Sequence, residues 1–205
     1  MPVNKIDMKN KLLKALPQLQ CRKCTYKDCE SYADAIIKEN EDLDKCEPGS
    51  IHTQNQLLEI VNGSNEKVFV NEIRNYEIAS IETYECIGCT ICMKICPTDA
   101  IIGAKHKLHF IINDLCNGCE LCISECPVDC MSMTINPKKE SWFWPSEQVD
   151  LSRQAYEGKK KRIDDIKKER ELIKKELRSL AKMKSYLADA ILREEEKDKQ
   201  LKEYE

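Results

Sequence analysis

Aromatic residues make up only 6% of this 205-residue chain, against 34% charged residues, so apolar surface is spread thinly and no large single core is expected. No run approaches the ~18 consecutive apolar residues of a membrane helix. The opening stretch, Met1 to Lys14, has four lysines and no apolar segment of signal-peptide length. Glycine is also scarce, and no Gly-rich dinucleotide loop is present, which leaves flavin and nicotinamide sites without support. Cysteine is absent from the last 75 residues, yet thirteen are crowded between Cys21 and Cys130. An odd number argues against a closed disulfide framework, and in a reducing cytosol clustered thiols indicate metal.

Charge is unevenly placed. Leu151 to Glu205 holds 17 basic and 13 acidic residues, leaving 16 basic against 23 acidic elsewhere. Each thiolate-bound [4Fe–4S] centre would add about −2 to that acidic part. Such a surface suits docking to basic redox proteins and argues against nucleic acid as a partner. The tail mixes lysines with acids, so it carries no nucleic-acid signal either.

The chain divides into five expected segments. Residues 1–17 read as an N-terminal helix ending at Pro17, with Ile6, Leu12, Leu13 and Leu16 near one face. Residues 18–49 hold four cysteines around a helix expected at Ser31 to Glu39. Residues 50–82 form a cysteine-free linker, with a loop at Asn62 to Asn65 and a short strand at Val68 to Val70. Residues 83–135 contain an internal repeat, with a hairpin strand expected across His106 to Ile112. Residues 136–205 begin with Trp142, Phe143 and Trp144, expected to cap the repeat, and continue as a charged helix from about Gln148 to Lys199. Along that helix Ile163, Ile166, Arg170, Ile173, Leu177, Leu180, Lys184, Leu187 and Ile191 trace a heptad seam with two charged interruptions. A dimer, a partner helix and a solvated single helix all fit it. The fold class expected is α+β: a small four-cysteine module, then a two-cluster ferredoxin-like domain, then a long C-terminal helix.

Two copies of C-x2-C-x2-C-x3-C-P stand 30 residues apart, Cys86 to Pro97 and Cys116 to Pro127. Three thiolates in such a tight loop wrap one face of an iron–sulfur cube, and the fourth, before proline, reaches the other cube. One [4Fe–4S] cluster is therefore expected on Cys86, Cys89, Cys92 and Cys126, and a second on Cys116, Cys119, Cys122 and Cys96. Gly88 and Gly118 would let backbone amides turn towards cluster sulfur, and Pro97 and Pro127 would fix the departing chain. Ile87, Ile91, Ile95, Ile101, Leu121, Ile123 and Val128 are candidates for an apolar jacket. Zinc ribbons use two well-separated C-x2-C pairs, a poor match to two complete runs of this kind. Cys130 completes no quartet and is read as a small buried residue, not a ligand. Twelve cysteines already make three sets, so His52, His106 and His109 are read as structural or surface residues.

Cys21, Cys24, Cys29 and Cys46 are spaced C-x2-C-x4-C-x16-C. That spacing suits a third [4Fe–4S] cluster or one structural zinc. Several runs together resemble the B subunit of the bacterial ion-translocating Rnf/Rsx electron transport complex. They are Leu16 to Cys29, Tyr32-Ala-Asp-Ala-Ile, Asn40 to Gly49, Cys86 to Cys92, Cys96 to Lys105 and Asp114 to Met131. The resemblance implies that the first module also binds a [4Fe–4S] cluster. It departs from the family in two ways. Thr25 and Asp28 stand where the family has glycines, and the N-terminal membrane helix of many members is missing, as in a soluble variant.

The expected function is an iron–sulfur electron carrier, without a catalytic site of its own, relaying single electrons as the B component of such a complex. Its partners would be the other subunits, reached from the cytoplasm at the inner face of the plasma membrane. The competing readings are a free-standing cytosolic ferredoxin serving several reductases and a metal-stabilised interaction module without redox turnover.

Overall fold

The structure is a computed structural model and describes residues 5–63, 77–136 and 147–202. The strand expected at Val68 to Val70 and the cap expected from Trp142, Phe143 and Trp144 lie outside the described residues. The elements are helices and small antiparallel sheets, an α+β arrangement ending in a long helix.

Three helices build the first part: α1 (Lys5–Ala15), α2 (Cys29–Glu39) and α3 (Ser50–Asn62). Leu12, Leu13 and Leu16 are buried with Tyr32, Ala33, Ile36 and Leu57. Ile6, expected near the same face, is 71% exposed. The second helix begins two residues before the expected Ser31. Asp28 is its N-cap, and its Oδ1 accepts from the Ser31 amide at 2.8 Å, which satisfies an otherwise orphaned donor. Asn40 closes the same helix at φ +53°, and Gly63 closes α3 at φ +66°.

The repeat folds as two similar halves. Strand β1 (Glu77–Ile81) pairs antiparallel with β4 (Met131–Ile135), and β2 (Ile101–Ile102) pairs antiparallel with β3 (Phe110–Ile111). Only Phe110 and Ile111 of the expected hairpin strand are extended in a ladder. His106, at φ +61°, sits in the turn that precedes them. The two ladders share one register. Ile81 faces Met131 and Ser80 faces Ser132; shifted by the repeat length, these become Ile111 facing Ile101 and Phe110 facing Ile102. The ladder-ending bonds obey the same shift, Glu82 N–H to the Cys130 carbonyl at 2.9 Å and Ile112 N–H to the Ala100 carbonyl at 2.7 Å. Short helices α4 (Ile91–Ile95) and α5 (Leu121–Ser124) carry the third cysteine of each run.

Helix α6 (Glu147–Lys202) starts in the same compact unit as the preceding elements, which extends to Lys159; residues 160–205 form a second unit. In that second unit the seam residues lie open, Ile163 at 39% exposure and Leu177 at 60%. Among the described residues, no helix is long and apolar enough to cross a membrane.

Candidate metal centres

The thirteen thiols fall into three neighbourhoods. Cys29 lies within electrostatic reach of Cys46, Cys21 and Cys24. Cys119 senses Cys96, Cys122 and Cys116, while Cys92 senses Cys89, Cys86 and Cys126. Each run thus keeps its first three cysteines together and sends its fourth to the other half. Among the described residues, no three His, Cys, Asp or Glu side chains converge tightly enough to share a single ion.

Burial raises six of these thiols above their ordinary value. It pushes Cys21, Cys29, Cys116 and Cys119 up, Cys92 to about 11 and Cys122 to about 12, and neighbouring thiolates add to the push. Neighbouring thiolates so close together repel one another unless a positive partner is present, which is what iron in a thiolate-bound cluster supplies. The backbone is arranged for anionic sulfur as well. The Ala79 amide donates to Cys116 Sγ at 3.4 Å, and the Ala100 amide donates to Cys96 Sγ at 3.3 Å. Amides two residues further along the chain donate to Cys21, Cys116, Cys119 and Cys126. The donor chemistry therefore fits an iron–sulfur cluster at each group.

The glycines in the two runs are sterically required. Gly118 has φ +71°, and a Cβ there would lie 2.4 Å from the Glu77 carbonyl oxygen. Gly88 has φ +67°, and a Cβ would lie 2.6 Å from the Lys107 amide nitrogen. Pro97 is buried and Pro127 exposed. The expected apolar jacket is incomplete. Ile101 is buried, but Ile87 is 56% and Val128 36% exposed.

Cys130 stands apart from the quartets but not from their chemistry. Its Sγ lies 3.4 Å from Cys126 Sγ. Burial and donation to Cys126 push its thiol up to about 12. In Cys126, burial is outweighed by the Val128 amide and the Cys130 donor, and the thiol lies below its ordinary value.

Several residues at the first group carry no metal-ligand signature in the sequence. Gln18 Nε2 donates to the Leu13 carbonyl at 2.6 Å, and Gln20 Nε2 donates to Gln18 Oε1 at 2.9 Å. Gln20 Oε1 in turn accepts from the Cys29 amide at 2.8 Å. Both glutamines are buried and sit at φ +57°. Thr25, at one of the departures noted above, holds φ +70°, a conformation that glycine adopts without strain. Asp28, at the other, is buried as the α2 cap and also accepts from Tyr156 at 3.1 Å.

The first group docks against the second run of the repeat. Lys23 Nζ lies 2.8 Å from Glu47 and 3.1 Å from Glu120, next to Cys119. Asn117, between Cys116 and Gly118, donates to the Leu19 carbonyl at 3.1 Å and to Ser152 at 2.8 Å; Ser152 donates to the Gln18 carbonyl at 2.7 Å. Lys159 donates to the carbonyls of Lys94 and Cys96 and pairs with Asp99 at 3.2 Å. The first turns of α6 thereby strap the two cysteine regions together.

Two family models match at the places where this geometry lies. The model described as "4Fe-4S dicluster domain" covers residues 79–133, and that described as "Putative Fe-S cluster" covers residues 16–48. A curated relative from Erwinia tasmaniensis, the B subunit of an ion-translocating oxidoreductase complex, is 42% identical over 139 residues, 66% of this chain and 73% of its own. The chain belongs to this B-subunit family. A second member, from Pseudomonas paraeruginosa, is 46% identical, over 63% of this chain and 69% of its own, and one from Azoarcus is 38% identical, over 75% and 82%. Membership of the family brings the geometry under one heading, iron–sulfur proteins of an oxidoreductase complex.

Proposed function

We propose that the chain relays single electrons through three [4Fe–4S] clusters as the B component of an ion-translocating oxidoreductase complex. One would be held by Cys21, Cys24, Cys29 and Cys46, one by Cys86, Cys89, Cys92 and Cys126, and one by Cys116, Cys119, Cys122 and Cys96. Cys130 serves as a neighbour, not a ligand. Each bound cluster supplies the capacity to take up and release one electron. The observation that carries the reading is the sorting of twelve thiols into three groups of four within one compact unit.

The protein's part is placement and screening. Gly88 and Gly118 admit close backbone packing at each run, and backbone amides stabilise negative charge on sulfur. The Lys23–Glu120 pair and the Asn117–Leu19 bond hold the first group against the second run, the neighbour to which its electron would pass. Segments 18–49 and 83–135 are the cluster-bearing parts, with 1–17 and 50–82 supporting them and 136–205 forming connector and tail. Association with other subunits would hold the protein at the inner face of the plasma membrane.

Iron and acid-labile sulfide per chain, measured after anaerobic purification, test this reading. Three clusters give about 12 of each and two give about 8. A value near 8 with one zinc assigns the first group to zinc, and colourless protein without sulfide removes the electron-transfer reading altogether.

A further inference from the structure

We propose that His109 is a hydrogen-bond donor that raises the reduction potential of the centre on Cys86, Cys89, Cys92 and Cys126, an imidazole contribution that the other centre of the repeat lacks. This rests on the reading that those four thiols hold a [4Fe–4S] cluster.

His109 is only 1% exposed, and its Nδ1 lies 3.4 Å from Cys92 Sγ and 3.7 Å from Cys86 Sγ. Facing thiolate sulfur, that nitrogen must carry the proton, since thiolate only accepts. The other ring nitrogen, Nε2, is buried without a hydrogen-bond partner among the described residues. A buried polar atom left unpaired is destabilising, so the ring is a poor choice for packing alone. Its seat is also specifically shaped. A Cβ on Gly103 would lie 2.3 Å from the ring Cδ2, so glycine there leaves the space the imidazole fills.

The internal repeat provides a control within the molecule. Thirty residues before His109 stands Ala79. In that half the backbone amide of Ala79 donates to Cys116 Sγ, and no polar side chain occupies the position. Gly118 against Glu77 and Gly88 against Lys107 show that the two halves superpose at this point. The second half has a different side chain near its sulfur, Thr98 Oγ1 at 3.6 Å from Cys96, where the first half has Val128. The imidazole donor thus belongs to one centre only. N–H dipoles aimed at cluster sulfur favour the form carrying the extra electron, so this donor raises the potential of its own centre. His109 is a positioning residue acting through Cys92 and Cys86.

A redox titration of the anaerobically purified full chain, followed by electron paramagnetic resonance, tests the assignment. In His109→Leu, the reduced-to-oxidised ratio of one centre at a fixed solution potential falls about tenfold, equivalent to ~59 mV for a one-electron couple. The other centres keep their potentials, and the wave that moves is the one lost in Cys89→Ser. His109→Asn, whose amide can reach the same sulfur, recovers most of the shift. Gly103→Ala crowds the ring while leaving the imidazole in the chain, and lowers the same wave. Wild-type potentials in both His109→Leu and Gly103→Ala overturn the proposal, as does an equal shift of every centre. If both variants lose iron from that centre and His109→Asn does not restore it, His109 is a structural support and the proposal fails. A wild-type chain free of iron and sulfide sinks the cluster reading itself, a result distinct from loaded protein with unmoved potentials.

Discussion

The helical first part and the repeat solve the same problem in opposite ways. The first part has a true apolar interior in which Leu12, Leu16, Tyr32 and Leu57 are each at most 1% exposed. In the repeat, half of the ten buried core residues are cysteines, joined by Ile78, Ala79, Ala100, Ile101 and Met131. Its two ladders contain five and two residue pairs, and its helices are little more than a turn. Where apolar side chains are few, the thiols become the core, and whatever they bind becomes part of folding.

That contrast makes removal of iron the harshest test. Anaerobic chelation is expected to abolish hydrogen-exchange protection across residues 77–135 while α1, α2 and α3 keep protected amides. Equal loss in both regions would break the comparison. Next comes Leu16→Ala, which leaves a cavity in the helical core and is expected to cost about 2–5 kcal/mol. Chemical denaturation should show that loss in the helical signal, with the visible absorption of the repeat unchanged until the helices melt. Gly118→Ala acts on the other side. It forces a side chain into φ +71° and against the Glu77 carbonyl, for about 1–2 kcal/mol of backbone strain plus the clash. The repeat should then lose iron faster than wild type on dilution into chelator, with the first group's iron retained longest. The smallest effect is expected for Asp28→Ala, about 1 kcal/mol from the lost cap. Because Asp28 also holds Tyr156, limited proteolysis at the start of α6 should quicken in the same variant.

Legibility followed chemistry that is local in the chain. The two C-x2-C-x2-C-x3-C-P runs, their glycines and their spacing could be read directly, because a compact thiolate loop needs its ligands close in sequence. The long helix was equally plain, since composition and heptad spacing are local properties. Ile6, expected near a helix face, and Ile87 and Val128, expected in the apolar jacket, are exposed, because a sequence pattern reports a face and not whether another element reaches it. Gln18, Gln20 and Asn117 escaped notice because polar residues reveal a structural role only when their partners are known. The run Leu16-Pro-Gln-Leu-Gln-Cys, singled out by resemblance, contained two of the three without indicating what they do.

The cysteine spacing of the two repeated runs determined their chemistry, since eight thiols in that order suit iron and sulfide and little else, whereas at Cys21, Cys24, Cys29 and Cys46 spacing alone left zinc open. Tertiary structure decided what surrounds them: which half of the repeat receives a histidine, and which run meets the first module. It also decided that α6 straps the two regions together. Those choices depend on contacts such as His109 to Cys92 and Ser152 to Gln18, between positions that sequence separation keeps apart until the chain is folded.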